Sequence, residues 1–282
     1  MEVLPHNSIF LSASVPHRPA WIADAKPTEV EEAIISLARA IFARKGRLVF
    51  GGHPSISPLV ASIAGEYFAV NPGRKVRPVI IFQSEYYRGQ LPDETWELHR
   101  LGWADIVWTP TQLWNGVPDK NLSLAAMRAL MIQDPARVDP MIQSTAWKST
   151  IERTALAAPK AMVAIGGMEG VIDECAVFLE HHIGVPAYCY VSTGGASSRL
   201  LEREIQRDTS WLALHGHDVV GEDRIHRIQH ARATGGLRAV EDDFNSRLQA
   251  RAPDLLARGT PTSFQPYALM SQWLLDILQI RA

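Results

Sequence analysis

The sequence predicts an α/β fold: a doubly wound, mostly parallel sheet with helices on both faces and a helical C-terminal extension. Three observations predict it. Short apolar runs alternate with segments of helical periodicity through the first two-thirds of the chain. The runs are apolar without interruption, as in strands covered on both faces. Three of them end in a glycine pair just where a helix begins, at Gly51-Gly52, Gly166-Gly167 and Gly194-Gly195. A length of 282 residues fits one large α/β domain with an appendage, which we place at 1–206 and 207–282.

Ser8 to Ser14 reads as the first strand, ending in small hydroxyl residues before the loop Pro16-His17-Arg18-Pro19. Thr28-Glu29-Val30-Glu31 reads as a capping box, with Ile34, Leu37 and Ile41 at helical spacing and Gly46 as the stop. Arg47 to Phe50 is the second strand, and Ser55 is the expected N-cap of the apolar helix through Val60 and Ile63. The third strand is expected over Val76 to Phe82, followed by the polar, aromatic and cationic set Gln83 to Arg88. Glu94 to Leu101 reads as helix and Ala104 to Trp108 as the fourth strand. From Gln112 to Thr150 the pattern weakens, with helices expected over Leu122 to Ile132 and about Pro140 to Ala157. Ala161 to Gly166 is a buried strand, and the helix after it opens with acidic residues. Ala187 to Val191 is the expected last strand, running into Ser192-Thr193-Gly194-Gly195. Helices are then expected over Ala239 to Ala250 and Pro266 to Ile280, the second with Leu269, Trp273 and Ile277 as a core or dimer stripe.

Composition excludes several function classes. Lys and Arg number 28 against 30 Asp and Glu, so the basic excess of a nucleic-acid or membrane-surface binder is missing. Cys175 and Cys189 lack metal-ligand spacing and read as buried reduced thiols, which fits the cytoplasm. His215, His217, His226 and His230 are not completed by a Cys or carboxylate pattern, so no metal is expected. No basic stretch followed by a long apolar run marks a signal peptide. No apolar stretch reaches the roughly 18 residues of a membrane span.

Right-handed crossovers bring the C-terminal strand ends to one edge. Ser12, Ser14, Gly51, Gly52, Ser84, Gly166, Gly167, Thr193, Gly194 and Gly195 all fall on it. Glycine lets a ligand approach the backbone, and the helix after Gly166-Gly167 offers free N–H groups and a positive dipole end. The combination suggests a phosphate-bearing ligand across a switch point. No glycine pair matches the dinucleotide, P-loop or nucleophile-elbow patterns, which disfavours a standard NAD dehydrogenase, P-loop NTPase or serine hydrolase. His53 reads as a phosphate donor, an acid/base or a plain structural group, and Arg88 as a phosphate partner or part of a solvated loop.

Four stretches resemble the SLOG superfamily of Rossmann-like domains: Phe10 to Ser14, Gly51 to Ile56, Ile165 to Glu174 and Thr193 to Ala196, together spanning about residues 8 to 206. That superfamily includes LOG-type phosphoribohydrolases, DNA-processing protein A, and the sensor domains of melastatin channels and Thoeris antiphage effectors. The pattern looks most like the prokaryotic sensors, which implies an ADP-ribose-like or other nucleotide signal and regulation of a partner. By that resemblance the ten edge residues, with His53, Ser55, Arg88 and Met168, would hold phosphate and ribose, and Glu169, Asp173 and Glu174 would take hydroxyls. The catalytic LOG branch carries Pro-Gly-Gly-x-Gly-Thr-x-x-Glu and an upstream arginine. Here Ile165 replaces the proline, one extra residue separates Gly167 from Gly170, and Val171 replaces the threonine. Glu174 could match the glutamate and Arg153 the arginine, with His53 as a further catalytic candidate.

Three readings follow: a cytoplasmic nucleotide sensor, a nucleotide N-glycosidase, or a scaffolding α/β protein. The sensor needs a nucleotide ligand and no other cofactor; its partners would be that ligand, a protein effector and a second copy of the chain. Gly167→Val is expected to block the ligand and leave the fold largely intact, provided Gly167 is not at positive φ.

Overall fold

A computed structural model describes residues 7–68, 77–132, 159–202, 221–251 and 266–280. Its main sheet has seven strands: β1 (Ser8–Ser14), β2 (Arg47–Gly51), β3 (Val79–Ser84), β4 (Ala104–Thr109), β7 (Ala161–Gly166), β8 (Ala187–Tyr190) and β9 (Leu237–Ala239). They lie in the order β4-β3-β2-β1-β7-β8-β9 and every pairing is parallel. The strands step outward from β1 to β4, and the chain then returns to lay β7 on the other side of β1. The β1/β7 boundary is therefore the switch point of the sheet, the place at whose carboxyl ends open α/β sheets hold their ligands. Register sets Ser12 beside Ala164 and Ser14 beside Gly166.

Alternation along each strand builds two cores. Ile9 and Leu11 of β1 face α2 (Pro27–Ala43), α3 (Ser57–Phe68), α9 (Val240–Arg251) and α10 (Tyr267–Ile277). Phe10 faces α5 (Lys120–Ile132), α6 (Glu169–His181), α7 (Gly195–Arg199) and α8 (Gly221–Ala233). Ser12 and Ser14 share the parity of Phe10 and so open toward the α5–α6 side. Short α1 (Pro19–Ile22) follows the β1 loop, and α4 (Asp93–Arg100) packs beside α3. Cys175 and Cys189 are free and buried. Among the described residues no helix is long and apolar enough to cross a membrane, and no group of three or more His, Cys, Asp or Glu is placed to hold a metal.

Several local expectations are corrected. No capping box forms at Thr28: Pro27 opens α2 with its fixed φ, Lys26 is the N-cap, and no side chain caps it. Gly46 is not the left-handed stop, because Lys45 takes that conformation at φ 58°. Ser55 does not cap α3; its hydroxyl accepts from the Val15 N–H at 3.3 Å and meets His53 Nδ1 at 2.8 Å. β3 runs to Ser84 rather than Phe82 because Gln83 and Ser84 pair with Trp108 and Thr109. The weakly patterned stretch holds a hairpin, β5 (Leu113–Trp114) and β6 (Val117–Pro118), turning on Asn115-Gly116, both at positive φ.

β8 is not the last strand, since Leu237–Ala239 adds β9 at its edge. On α10 the buried line is Tyr267, Met270, Ser271 and Leu274, while Leu269 is 62% exposed. Both lines have helical spacing on a helix that is apolar nearly all round. The hydrogen bond from Tyr190 to Ser271, at 2.8 Å in the interior, belongs to the buried one. The expected helix over Pro140 to Ala157, and with it Trp147, Arg153, His215 and His217, lies outside the described residues.

Candidate functional site

The Gly166-Gly167 turn ends β7 against β1. Both residues have positive φ, 56° and 85°, and a Cβ on Gly167 would stand 2.2 Å from Val171 Cγ2. The condition on which Gly167→Val would spare the fold is therefore not met. The Gly167 N–H donates to the Ser14 carbonyl at 2.8 Å, and the Gly166 N–H is shared by Thr193 Oγ1 at 2.9 Å and Ser197 Oγ at 3.1 Å. The Ala196 N–H closes on the Gly167 carbonyl at 3.0 Å. Gly195 makes that approach feasible, since a Cβ there would lie 2.6 Å from the same oxygen. Thr193 also donates to the Tyr190 carbonyl at 2.6 Å, so its hydroxyl shapes the turn.

Beyond the turn, α6 starts at Glu169 without a side-chain cap. Its leading N–H groups and dipole end sit at the switch point. Glu169 is 5% exposed and pairs with Arg18 from the β1 loop. Its Oε2 is buried and has no hydrogen-bond partner among the described residues. One and a half turns on, Glu174 accepts from Ser12 Oγ at 2.5 Å and from Arg128 Nε of α5 at 3.2 Å. Burial pushes the Glu174 carboxyl above its ordinary value, against the lowering pull of Arg128 and the Ser12 hydroxyl. Asp173 accepts from Arg224 of α8 at 2.7 Å and lies 4.0 Å from Arg128. Arg128 also lies over Gly170, where a Cβ would meet its Nη2 at 2.5 Å.

The β2 loop brings His53 and Ser55 to the β1 end through the Val15 bond. The Ser55 N–H donates to His53 Nδ1 at 3.3 Å, which makes Nδ1 the acceptor and leaves the proton on Nε2. Burial, helped by the charge of His17, lowers the His53 pKa to about 4. His53 is thus a neutral donor at pH 7. Gly51 lies under Met127, 3.3 Å from a would-be Cβ, and the Gly52 carbonyl accepts from Gln83 Nε2 at 3.1 Å.

The remaining predicted residues divide. Ser84 is buried and accepts from the Tyr86 N–H at 3.2 Å, holding the 3₁₀ turn Glu85–Gln90. Arg88 is forked onto Glu85 at 2.6 Å and lies over the Trp108 ring at 4.1 Å, outside the cluster. Its neighbour Tyr87 is near enough to Arg128 for that charge to oppose the rise burial causes in its phenol. Met168 is the N-cap position of α6. Arg153 lies outside the described residues; among the described ones, Arg128 meets Glu174. The sequence signal for Arg128 is a single charge inside the apolar run Leu124 to Ile132. Ser197, Arg18 and Arg224 carry no comparable signal, because only the fold brings them in.

Known proteins offer three comparisons. No curated protein matches the chain. A structural-genomics crystal structure, TM1055, is 15% identical over 69% of this chain and 79% of that one, with a TM-score of 0.36. The SLOG cluster3 family matches residues 20–142 and 149–214, a span that holds all three glycine pairs, the α6 acids and Arg128. The match covers more than half of the sequence and supports a nucleotide-related function: the chain belongs to the SLOG cluster3 family.

Proposed function

We propose that this protein binds a nucleotide-derived, ADP-ribose-like ligand at the carboxyl edge of its sheet and acts as a sensor that regulates a partner, in defence or stress signalling. One observation carries the reading: the uncapped start of α6 stands at the switch point beside the buried, unpartnered Oε2 of Glu169. A helix start of this kind favours a phosphate. A buried carboxylate oxygen without a donor calls for a hydroxyl, and a ribose supplies one. Arg18 balances the Glu169 charge, so the dipole end is not cancelled. Ser12, Ser14, Gly51, Gly52, Ser55 and the Gly166–Gly167 and Gly194–Gly195 turns surround the same edge. A homo-oligomer, and the division into 1–206 and 207–282, belong to the same proposal.

A second reading is a nucleotide N-glycosidase of LOG type. Glu174 favours it, as a largely enclosed carboxyl with a raised pKa beside Arg128. Both Glu174 oxygens already have partners, however, which suits a structural carboxylate better than a poised acid. The test is mass spectrometry after incubation with AMP, ADP-ribose, cyclic ADP-ribose isomers and NAD, with native mass in parallel. Retention of an intact ligand is the expected result. Release of free base by the wild type and not by Glu174→Ala would establish the glycosidase instead. Native mass also reads the stoichiometry.

A further inference from the structure

Among the described residues, the turn from Val191 to Gly195 is held from outside the matched family span. Glu241, in the first turn of α9, receives three hydrogen bonds from it. The Val191 N–H donates to Oε2 at 3.1 Å, and the Ser192 N–H and hydroxyl donate to Oε1 at 2.9 and 2.6 Å. Ser192 Oγ also meets the Tyr267 hydroxyl of α10 at 2.9 Å, and Tyr267 donates to Glu29 of α2 at 2.6 Å. The family match ends at residue 214, so Glu241 and Tyr267 both lie beyond it. Directly after the Glu241 contacts, Thr193 and then Ser197 carry the Gly166 N–H, and Gly195 lies on the Gly167 carbonyl.

We propose that Glu241 is a positioning residue for the nucleotide site: it fixes the β8 turn against the Gly166-Gly167 turn and so makes α9 and α10 part of the site's geometry. The proposal rests on the reading that these turns hold the ligand. The physical basis is the acceptor geometry. A carboxylate that takes one backbone N–H on one oxygen, and the next N–H with its own residue's hydroxyl on the other, fixes both the path and the rotation of the turn, and hydrogen bonds to a charged acceptor are the strong ones. No side chain of α7 does this for Val191 and Ser192.

The test uses the full chain, with hydrogen–deuterium exchange at Val191 and Ser192 and calorimetric titration with ADP-ribose. Glu241→Ala is expected to raise exchange there about tenfold or more and to weaken ADP-ribose binding by a similar factor. Glu241→Gln keeps one acceptor oxygen and should fall between Ala and wild type. Asp242→Ala removes an exposed carboxylate from the same helix turn, with the same effect on the dipole, and should change neither reading. Exchange in β3 reports a global loss and should stay at wild type. Unchanged exchange at Val191 and Ser192 overturns the proposal. So does a rise shared by β3, or a rise with ADP-ribose affinity unchanged. Wild-type protein that binds no ADP-ribose overturns the ligand reading instead, and the exchange result then decides alone whether Glu241 sets the turn.

Discussion

Replacing Gly167 with alanine should destabilise the fold itself, because the residue is held at φ 85° and has no room for a Cβ. A left-handed backbone costs a residue with a side chain about 1–2 kcal/mol. The added methyl would also stand 2.2 Å from Val171 Cγ2 and 3.0 Å from Val171 Cβ, so the first turn of α6 must shift. Overpacking of this sort costs about 1–3 kcal/mol, which gives a total of about 2–5 kcal/mol. For a chain of this size that corresponds to a melting point lower by roughly 5–15 °C. Gly65→Ala is the matched control. It lies inside α3, and its Cβ would meet the Trp103 ring at an ordinary 3.5 Å. There the lost backbone freedom of the unfolded chain should raise stability by about 0.5–1 kcal/mol. Thermal unfolding by circular dichroism of the two variants beside wild type measures both signs. A Gly167→Ala protein melting within about 2 °C of wild type would refute the assignment of strain to this turn.

Two further outcomes follow from partly buried titratable groups. His53 has its pKa lowered from 6.5 to about 4 in the fold, so across that window the unfolded chain binds a proton that the native chain does not. Its contribution is fully present above pH 6.5 and is lost as pH falls toward 4, by at most about 3 kcal/mol. Urea titrations of wild type and His53→Asn from pH 7.5 to 4.5 should show a flatter acid limb in the variant; equal limbs would exclude His53 as the source. Arg128→Met leaves Glu174 buried with only Ser12 beside it, and should cost about 1–3 kcal/mol at neutral pH. Glu174→Gln in the same chain should restore part of that loss, whereas strictly additive losses would show that the pair is not coupled.

Periodicity and the glycine pairs were enough for the strand–helix alternation, the parallel sheet and the carboxyl edge, because these depend on repeats of two and of about four residues within single elements. Ser12, Ser14, Gly166 and Gly167 could be placed on one edge for the same reason: each closes or follows its own strand. Partnerships across elements could not be read this way. Arg128 meets Glu174 over 46 residues and Arg224 meets Asp173 over 51; no local pattern selects Arg224, and the apolar run around Arg128 marks that arginine without naming its partner. Apolar spacing on α10 fits two lines equally, and burial of the Tyr267–Ser271 side over the Leu269 side was decided by contacts with β8 and α2. β9, three residues long, is a strand only because β8 offers it an open edge. The sequence by itself determined the elements and the edge on which chemistry collects. The tertiary structure alone decided which charges meet there, since pairing and burial depend on distances that local spacing does not encode.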